Sequence, residues 1–267
     1  MENWNGISLY HYTSFQALEG ILKSKELWLG NLKYMNDRKE LQFFFDGIKK
    51  ALIRELYGYE NAINGLFEDQ MKRFEGKTSY AFSLSKQVDD ASQWDRYASK
   101  GRGVCIKFNA EKLKEVIKGK ATLNTVFYNE TLQDHSIKNI IVQYIMNNNL
   151  SGEFSSINEV FENAWACAAA FKHPSFKAES EVRICAYPFI DQFLTGELKY
   201  KVGEYGLREY YPISLGSGLD RTYGGTIEGI IIGPSAGIDT NILTRYLQMH
   251  NVDISNICIG ESNCPLR

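Results

Sequence analysis

The sequence predicts an α+β fold, and three observations predict it. Helical periodicity separates short strands through the first half of the chain. Strands dominate the last third. No stretch approaches the roughly 20 consecutive apolar residues of a spanning helix, so the 44% of hydrophobic residues in 267 serve a globular core.

The elements follow in order. Residues 7 to 12 (ISLYHY) form a strand, and Thr13 opens a helix through the capping pattern Thr13-x-x-Gln16, with Phe15, Leu18, Ile21 and Leu22 on one face. A second helix starts near Asp37 with Glu40 as reciprocal cap and an apolar stripe of Leu41, Phe44, Phe45, Ile48 and Leu52, and a third covers 60 to 74. Ser79 to Ser85 alternates, placing Ala81, Ser83 and Ser85 on one strand face and the larger side chains on the other. A short helix from Ser92 to Ala98 carries Trp94 and Tyr97 on one side. Gly101 to Gly103 then turns into the strand Val104 to Phe108, and Asn109 caps the next helix. Beyond a strand near 123 to 128, helices at 132 to 148 and 157 to 171 read as an insert at about 130–172 within a single domain spanning 1–267. Period two returns from Ala178 to Tyr187. Further strands lie near 197 to 203, 207 to 214, 226 to 232 and 252 to 259, with a helix near 239 to 249.

Composition excludes several classes. Five cysteines without a C-x-x-C pair give neither a disulfide framework nor a zinc ribbon. A net charge of −2 supplies no global field for a polyanion. The first residues lack a basic start followed by an apolar run, so the expectation is a cytoplasmic protein without membrane contact. The P-loop, the dinucleotide glycine fingerprint, the His-Glu-x-x-His helix and the nucleophile elbow are absent, and no residue set recommends a metal site.

Three constellations carry chemistry. His11, Tyr12 and Thr13 stand where a strand meets a helix, a place for a ligand or for a structurally bonded histidine. Ser83 and Ser85 offer two hydroxyls on one strand face, which suits a ribose or a tightly packed helix equally. Glu179, Glu181 and Arg183 share one strand face opposite apolar residues. They form either a salt-bridged edge or a ligand site, because unpaired charges do not tolerate burial. Trp94 and Tyr97 read as a core anchor or as a stacking platform.

Taken in order, Leu9-Tyr10-His11-Tyr12-Thr13, Asn36-Asp37-x-x-Glu40, Phe82-Ser83-x-Ser85, Trp94-x-x-Tyr97 with Gly103, and Lys172 through Glu179-x-Glu181-x-Arg183 resemble a bacterial family of unknown function from about residue 9 to 233. Phe176 stands where that family usually has tryptophan. The family in turn resembles the ADP-ribosyltransferase superfamily, through a first-strand His, a serine-bearing strand and a late-strand Glu. The resemblance implies a split, twisted β core with inserted helices and an NAD-dependent ADP-ribosyltransferase acting as a bacterial toxin or anti-phage effector. It implies Glu181 and Glu179 as catalytic carboxylates and His11, Tyr12, Thr13, Ser83, Ser85, Tyr97 and Arg183 around the NAD co-substrate. It further implies a macromolecular acceptor, with an antitoxin or regulatory protein as a possible partner. RNA or DNA is favoured slightly over protein by Lys107, Lys112, Lys114, Lys118 and Lys120, a group that Glu111 and Glu115 interrupt and that reads more simply as a solvated helix. The alternatives are a non-catalytic nucleotide- or protein-binding module and a metal-dependent nuclease or hydrolase.

Overall fold

The computed structural model describes residues 3–34, 40–55, 57–58, 60–73, 78–129, 135, 137–139, 168–187, 197–203, 206–216 and 222–266. Its centre is one ten-stranded mixed sheet: β1 (Ser8–Thr13), β2 (Glu26–Asn31), β3 (Tyr80–Ser85), β4 (Val104–Asn109), β5 (Thr122–Thr125), β6 (Glu181–Ala186), β7 (Lys199–Gly203), β8 (Gly206–Ser214), β9 (Ile227–Ile232) and β10 (Cys258–Glu261). The spatial order is β10-β9-β4-β1-β3-β2-β8-β7, with β6 and β5 branching from β3. Among the described strands only β10 and β9 pair in parallel.

The branch sits at β3. One edge of β3 pairs along its whole length with β6, from Tyr80↔Ala186 to Ser85↔Glu181. The other edge is shared: β1 touches it at Tyr10↔Ser85, and β2 at Gly30↔Ala81 and Asn31↔Tyr80. β1 and β2 therefore diverge around the middle of β3, and the sheet is forked there.

Helices fill the connections. α1 (Phe15–Ser24) buries Leu18, Ile21 and Leu22. Its N-cap is Ser14, whose hydroxyl accepts from the Ala17 amide at 3.1 Å, one residue later than the expected Thr13. Thr13 instead completes β1 opposite Val104, because strand pairing satisfies its backbone first. α2 (Glu40–Glu55) buries Phe44, Phe45, Ile48 and Leu52 as its stripe predicted. The expected helix start near Asp37 and the side chain of Leu41 lie outside the described residues. α3 (Glu60–Arg73), α4 (Ala91–Tyr97), α5 (Ala110–Ile117) and α6 (Thr240–Met249) match the sequence reading, with α4, α5 and α6 capped by the side chains of Asp90, Asn109 and Asp239. Most of the proposed insert lies outside the described residues.

The main core occupies one face of the sheet, where Leu9, Phe82, Leu84, Ile106, Val182 and Ile184 meet α1, α5 and α6. A smaller cluster of Tyr12, Trp94, Ala98 and Cys105 lies on the opposite face, under α4. The α4–β4 turn is held by an approach too close for any other residue: a Cβ on Gly103 would stand 2.1 Å from the Thr13 carbonyl oxygen. Two strand expectations shift. β10 begins at Cys258, not 252. Pro174–Glu179 is a 3-10 helix, so β6 starts only at Glu181.

Among the described residues no helix is long and apolar enough to cross a membrane.

Candidate functional site

Strand register decides which predicted residues share a face. Tyr10, Ser85 and Glu181 lie in one cross-strand row, and Ser83 and Arg183 in the next. His11 pairs with Ile106 in the alternate row, and its ring stacks on Phe82 in the main core at 4.1 Å between centroids. The expected convergence of His11 with Ser83 and Glu181 is therefore not what the strands produce, since adjacent strand positions project to opposite faces. His11 does meet Ser83, through the backbone: Nδ1 lies 2.9 Å from the Ser83 carbonyl oxygen, in the fork where β3 has no strand partner. The neutral ring donates there. Burial holds its pKa down to about 4, and the bond to Ser83 only partly offsets this.

Tyr12 is engaged within the fold, and Thr13 is buried at the end of β1. The Tyr12 hydroxyl donates to the Gln87 carbonyl at 2.8 Å and accepts from the Asp90 amide at 3.0 Å, fixing the loop that enters α4. Its ring meets Trp94 edge-on. Trp94 is fully buried with its indole N–H on Asp89 at 2.7 Å, which makes it a core anchor and not a stacking platform.

The remaining predicted residues form a compact charged cluster. Glu179 ends the 3-10 helix, and Ser180, with φ 44° and ψ 47°, turns the chain through the left-handed region into β6. That turn, costing roughly 1 kcal/mol for a non-glycine residue, leaves Glu179 and Glu181 close enough to share one cation although they do not sit on one strand. Lys172 Nζ donates to Glu179 at 2.7 Å and to Glu181 at 3.1 Å, and its ammonium lies 4.8 Å from the Phe176 ring centroid. Arg183 grips Glu181 with two bonds, Nε at 2.8 Å and Nη2 at 3.1 Å, and gives Nη1 to the Ala169 carbonyl. The Glu181 amide donates to the Tyr128 hydroxyl at 3.0 Å. Lys172, Glu179, Glu181 and Arg183 are all buried.

Four buried charges of balanced sign persist because each has a partner at hydrogen-bond distance. Burial alone would raise the Glu181 pKa, but Arg183 and Lys172 overcome it and hold the carboxyl ionised, at about 2. Ser85 serves the backbone, donating to the Glu179 carbonyl at 2.8 Å and accepting from the Gln87 amide. The Ser83 hydroxyl differs. It lies near enough to Glu181 to help keep it ionised, yet it makes no hydrogen bond of ordinary geometry with any described residue.

One side of the cluster opens toward solvent through α4. Arg96 Nη1 reaches Glu179 at 3.2 Å with 55% of its side chain exposed, and the half-buried Tyr97 hydroxyl donates to the same oxygen at 2.9 Å. Burial, then Glu179, pushes the Tyr97 pKa up to about 12, so it remains a donor. Tyr10 borders the same face, packed against the α4 cluster. Sequence reasoning missed Arg96 and Tyr10. Arg96 precedes a residue already singled out, and Tyr10 had the parity of the serine face, but parity between strands is unreadable before register is known.

The fold and site thus define an α+β protein with a forked sheet and a paired-carboxylate cluster beneath a short helix. Residues 93–184 match the family model described as "Protein of unknown function (DUF2971)". This agrees with the expected family of unknown function over a shorter stretch than residues 9 to 233. The matched segment holds Arg96, Tyr97, Lys172, Glu179, Glu181 and Arg183, while His11 and Ser83 lie before it. No curated protein and no solved structure matches the chain.

Proposed function

We propose that this protein is an NAD-dependent ADP-ribosyltransferase whose site lies at the α4 side of the charged cluster, with Glu179 as the working carboxylate. The observation that carries this reading is the asymmetry between the two glutamates. Both Glu181 oxygens are occupied by buried cations, whereas Glu179 shares an oxygen with two groups, Arg96 and Tyr97, on the solvent-facing helix. A ligand that draws Arg96 away exposes an ionised carboxylate in a desolvated setting, where charge stabilisation is strongest.

The roles follow from position. Arg96, the exposed cation of the cluster, pairs with the NAD pyrophosphate, a role the buried and fully engaged Arg183 is badly placed to take. The Ser83 hydroxyl, buried beside Glu181 and without a hydrogen bond of ordinary geometry, turns to a ribose or the nicotinamide amide when ligand enters, and Tyr97 and Tyr10 flank the ring. The bond from ribose C1′ to the nicotinamide nitrogen breaks and its electron pair leaves with nicotinamide. Glu179 stabilises the cationic sugar and takes the proton from the acceptor O–H or N–H that attacks C1′. Glu181, Lys172 and Arg183 hold Glu179 in place. The setting that fits is a toxin or defence effector.

Among the described residues no group of three or more His, Cys, Asp or Glu side chains comes together that could hold a metal ion. The test is incubation with NAD labelled in the adenylate half together with total cell extract. Label is expected on a macromolecule, with nicotinamide released in equal amount. Absence of both from the wild-type chain defeats the reading.

A further inference from the structure

The outer strands β2, β8 and β7 carry a second unusual surface. Register places Glu26 and Trp28 of β2, Arg208 and Tyr210 of β8, and Lys199 and Lys201 of β7 on one face. Gly30↔Ala81 pairing makes it the same sheet face that bears Ser83 and Glu181. Rings and cations interleave on it. Lys201 Nζ lies 5.1 Å from the Trp28 ring centroid and 5.9 Å from that of Tyr210, and the Arg208 guanidinium stands 4.9 Å from the Tyr34 ring, which is 57% exposed. The one acid on these strand positions, Glu26, is already paired with Lys199 at 2.8 Å. In a chain of net charge −2, this is a local cationic excess.

We infer that this face is a docking surface for single-stranded nucleic acid. A backbone phosphate satisfies a cation at its rim, and an unpaired base stacks on a ring that already faces a guanidinium or ammonium. A duplex hides its base faces and gains only the charge. The lysines on which the sequence reading relied are set differently among the described residues: Lys107 pairs with Glu228 at 3.5 Å and Lys112 with Glu115 at 3.1 Å. Three strand spacings separate β3 from β7, about 15 Å in all, so a strand docked here lies within a few nucleotides of the cluster. That it serves as the acceptor surface rests on the transferase reading; that it binds does not.

The experiment is fluorescence anisotropy of a labelled 20-nucleotide single strand with the full chain, without NAD, across 50 to 200 mM salt. The wild-type chain should bind, and bind the matching duplex more weakly. Lys201→Gln with Arg208→Gln should lower the slope of log affinity against log salt by about 1.4, at about 0.7 for each phosphate no longer neutralised. Tyr34→Ala should weaken binding about fivefold or more, the worth of one base stack. Lys112→Gln with Lys114→Gln should change neither. No binding by the wild-type chain, unchanged binding by both surface variants, or equal displacement by polyglutamate of matched charge, which marks a site for an acidic protein, each overturns the inference. Nicotinamide release, measured separately, should survive Lys201→Gln with Arg208→Gln, so a failed transferase reading and a failed docking surface give different results.

Discussion

Replacing Glu181 by Gln removes one charge from a buried set that is now neutral. Lys172 would keep its bond to Glu179 at 2.7 Å, and Arg183 would lose its two bonds to the Glu181 carboxylate, at 2.8 and 3.1 Å. Breaking one side of a buried ion pair costs roughly 3–5 kcal/mol because the partner stays charged and desolvated. For a chain of this size that lowers the melting temperature by roughly 6–20 °C, at about 2–4 °C per kcal/mol. The closed geometry of the cluster makes the removal of this charge a perturbation of stability as well as of chemistry. Adding Arg183→Met restores neutrality, and the double variant should regain much of the stability, a coupling that a double-mutant cycle reads directly. The pH dependence has a fixed sign. The folded-state pKa of Glu181, about 2, lies below its ordinary 4.5, so its contribution is fully present above pH 4.5 and is lost as pH falls toward 2. Thermal melts of wild type, Glu181→Gln and the double variant, at pH 7.5 and through the acid range, make the comparison. A single variant melting within about 2 °C of wild type, or strictly additive substitutions, would refute the reasoning.

Three further outcomes are expected. His11→Gln should flatten the stability profile between pH 6.5 and about 4, because the wild-type ring is held neutral and wild type loses stability as the unfolded state protonates first; acid-range melts check it, and an unchanged profile places the ring in solvent. Gly103→Ala should abolish soluble expression or cost several kcal/mol, since the new methyl meets the Thr13 carbonyl and not a movable side chain; chemical denaturation of any soluble product decides. Arg96→Gln should leave the melting temperature within about 2 °C of wild type, because the arginine side chain is itself 55% exposed and the buried Glu179 keeps Lys172 and Tyr97 as partners, while raising the KM for NAD tenfold or more in a nicotinamide-release assay; an unchanged KM removes Arg96 from the pyrophosphate.

Much of this fold is legible in the sequence because its signals are local. The alternation from Tyr80 to Ser85, the stripe of Phe44, Phe45 and Ile48, and the cap Asn109 each state their element within a few residues. What stayed hidden is relational. His11 and Ser83 read as lining one NAD pocket, whereas the His11 ring lies on the core face and meets Ser83 only at its carbonyl, in the fork of the sheet, an arrangement that depends on how β1, β2 and β3 meet. Glu179 and Glu181 read as neighbours on a strand, whereas a 3-10 helix and a left-handed Ser180 bring them together by another route. The acidic row was recognisable as needing compensation. That Lys172 and Arg183 supply it, leaving Glu179 as the carboxylate reached from α4, required the coordinates.

Nicotinamide release by Glu179→Gln, relative to wild type at a temperature where both are folded, tests the central claim most directly. Glu179 as the carboxylate beneath the ribose predicts a fall of about 100-fold or more, the scale of removing one preorganised electrostatic partner. Release at near wild-type rate from a folded Glu179→Gln chain contradicts it.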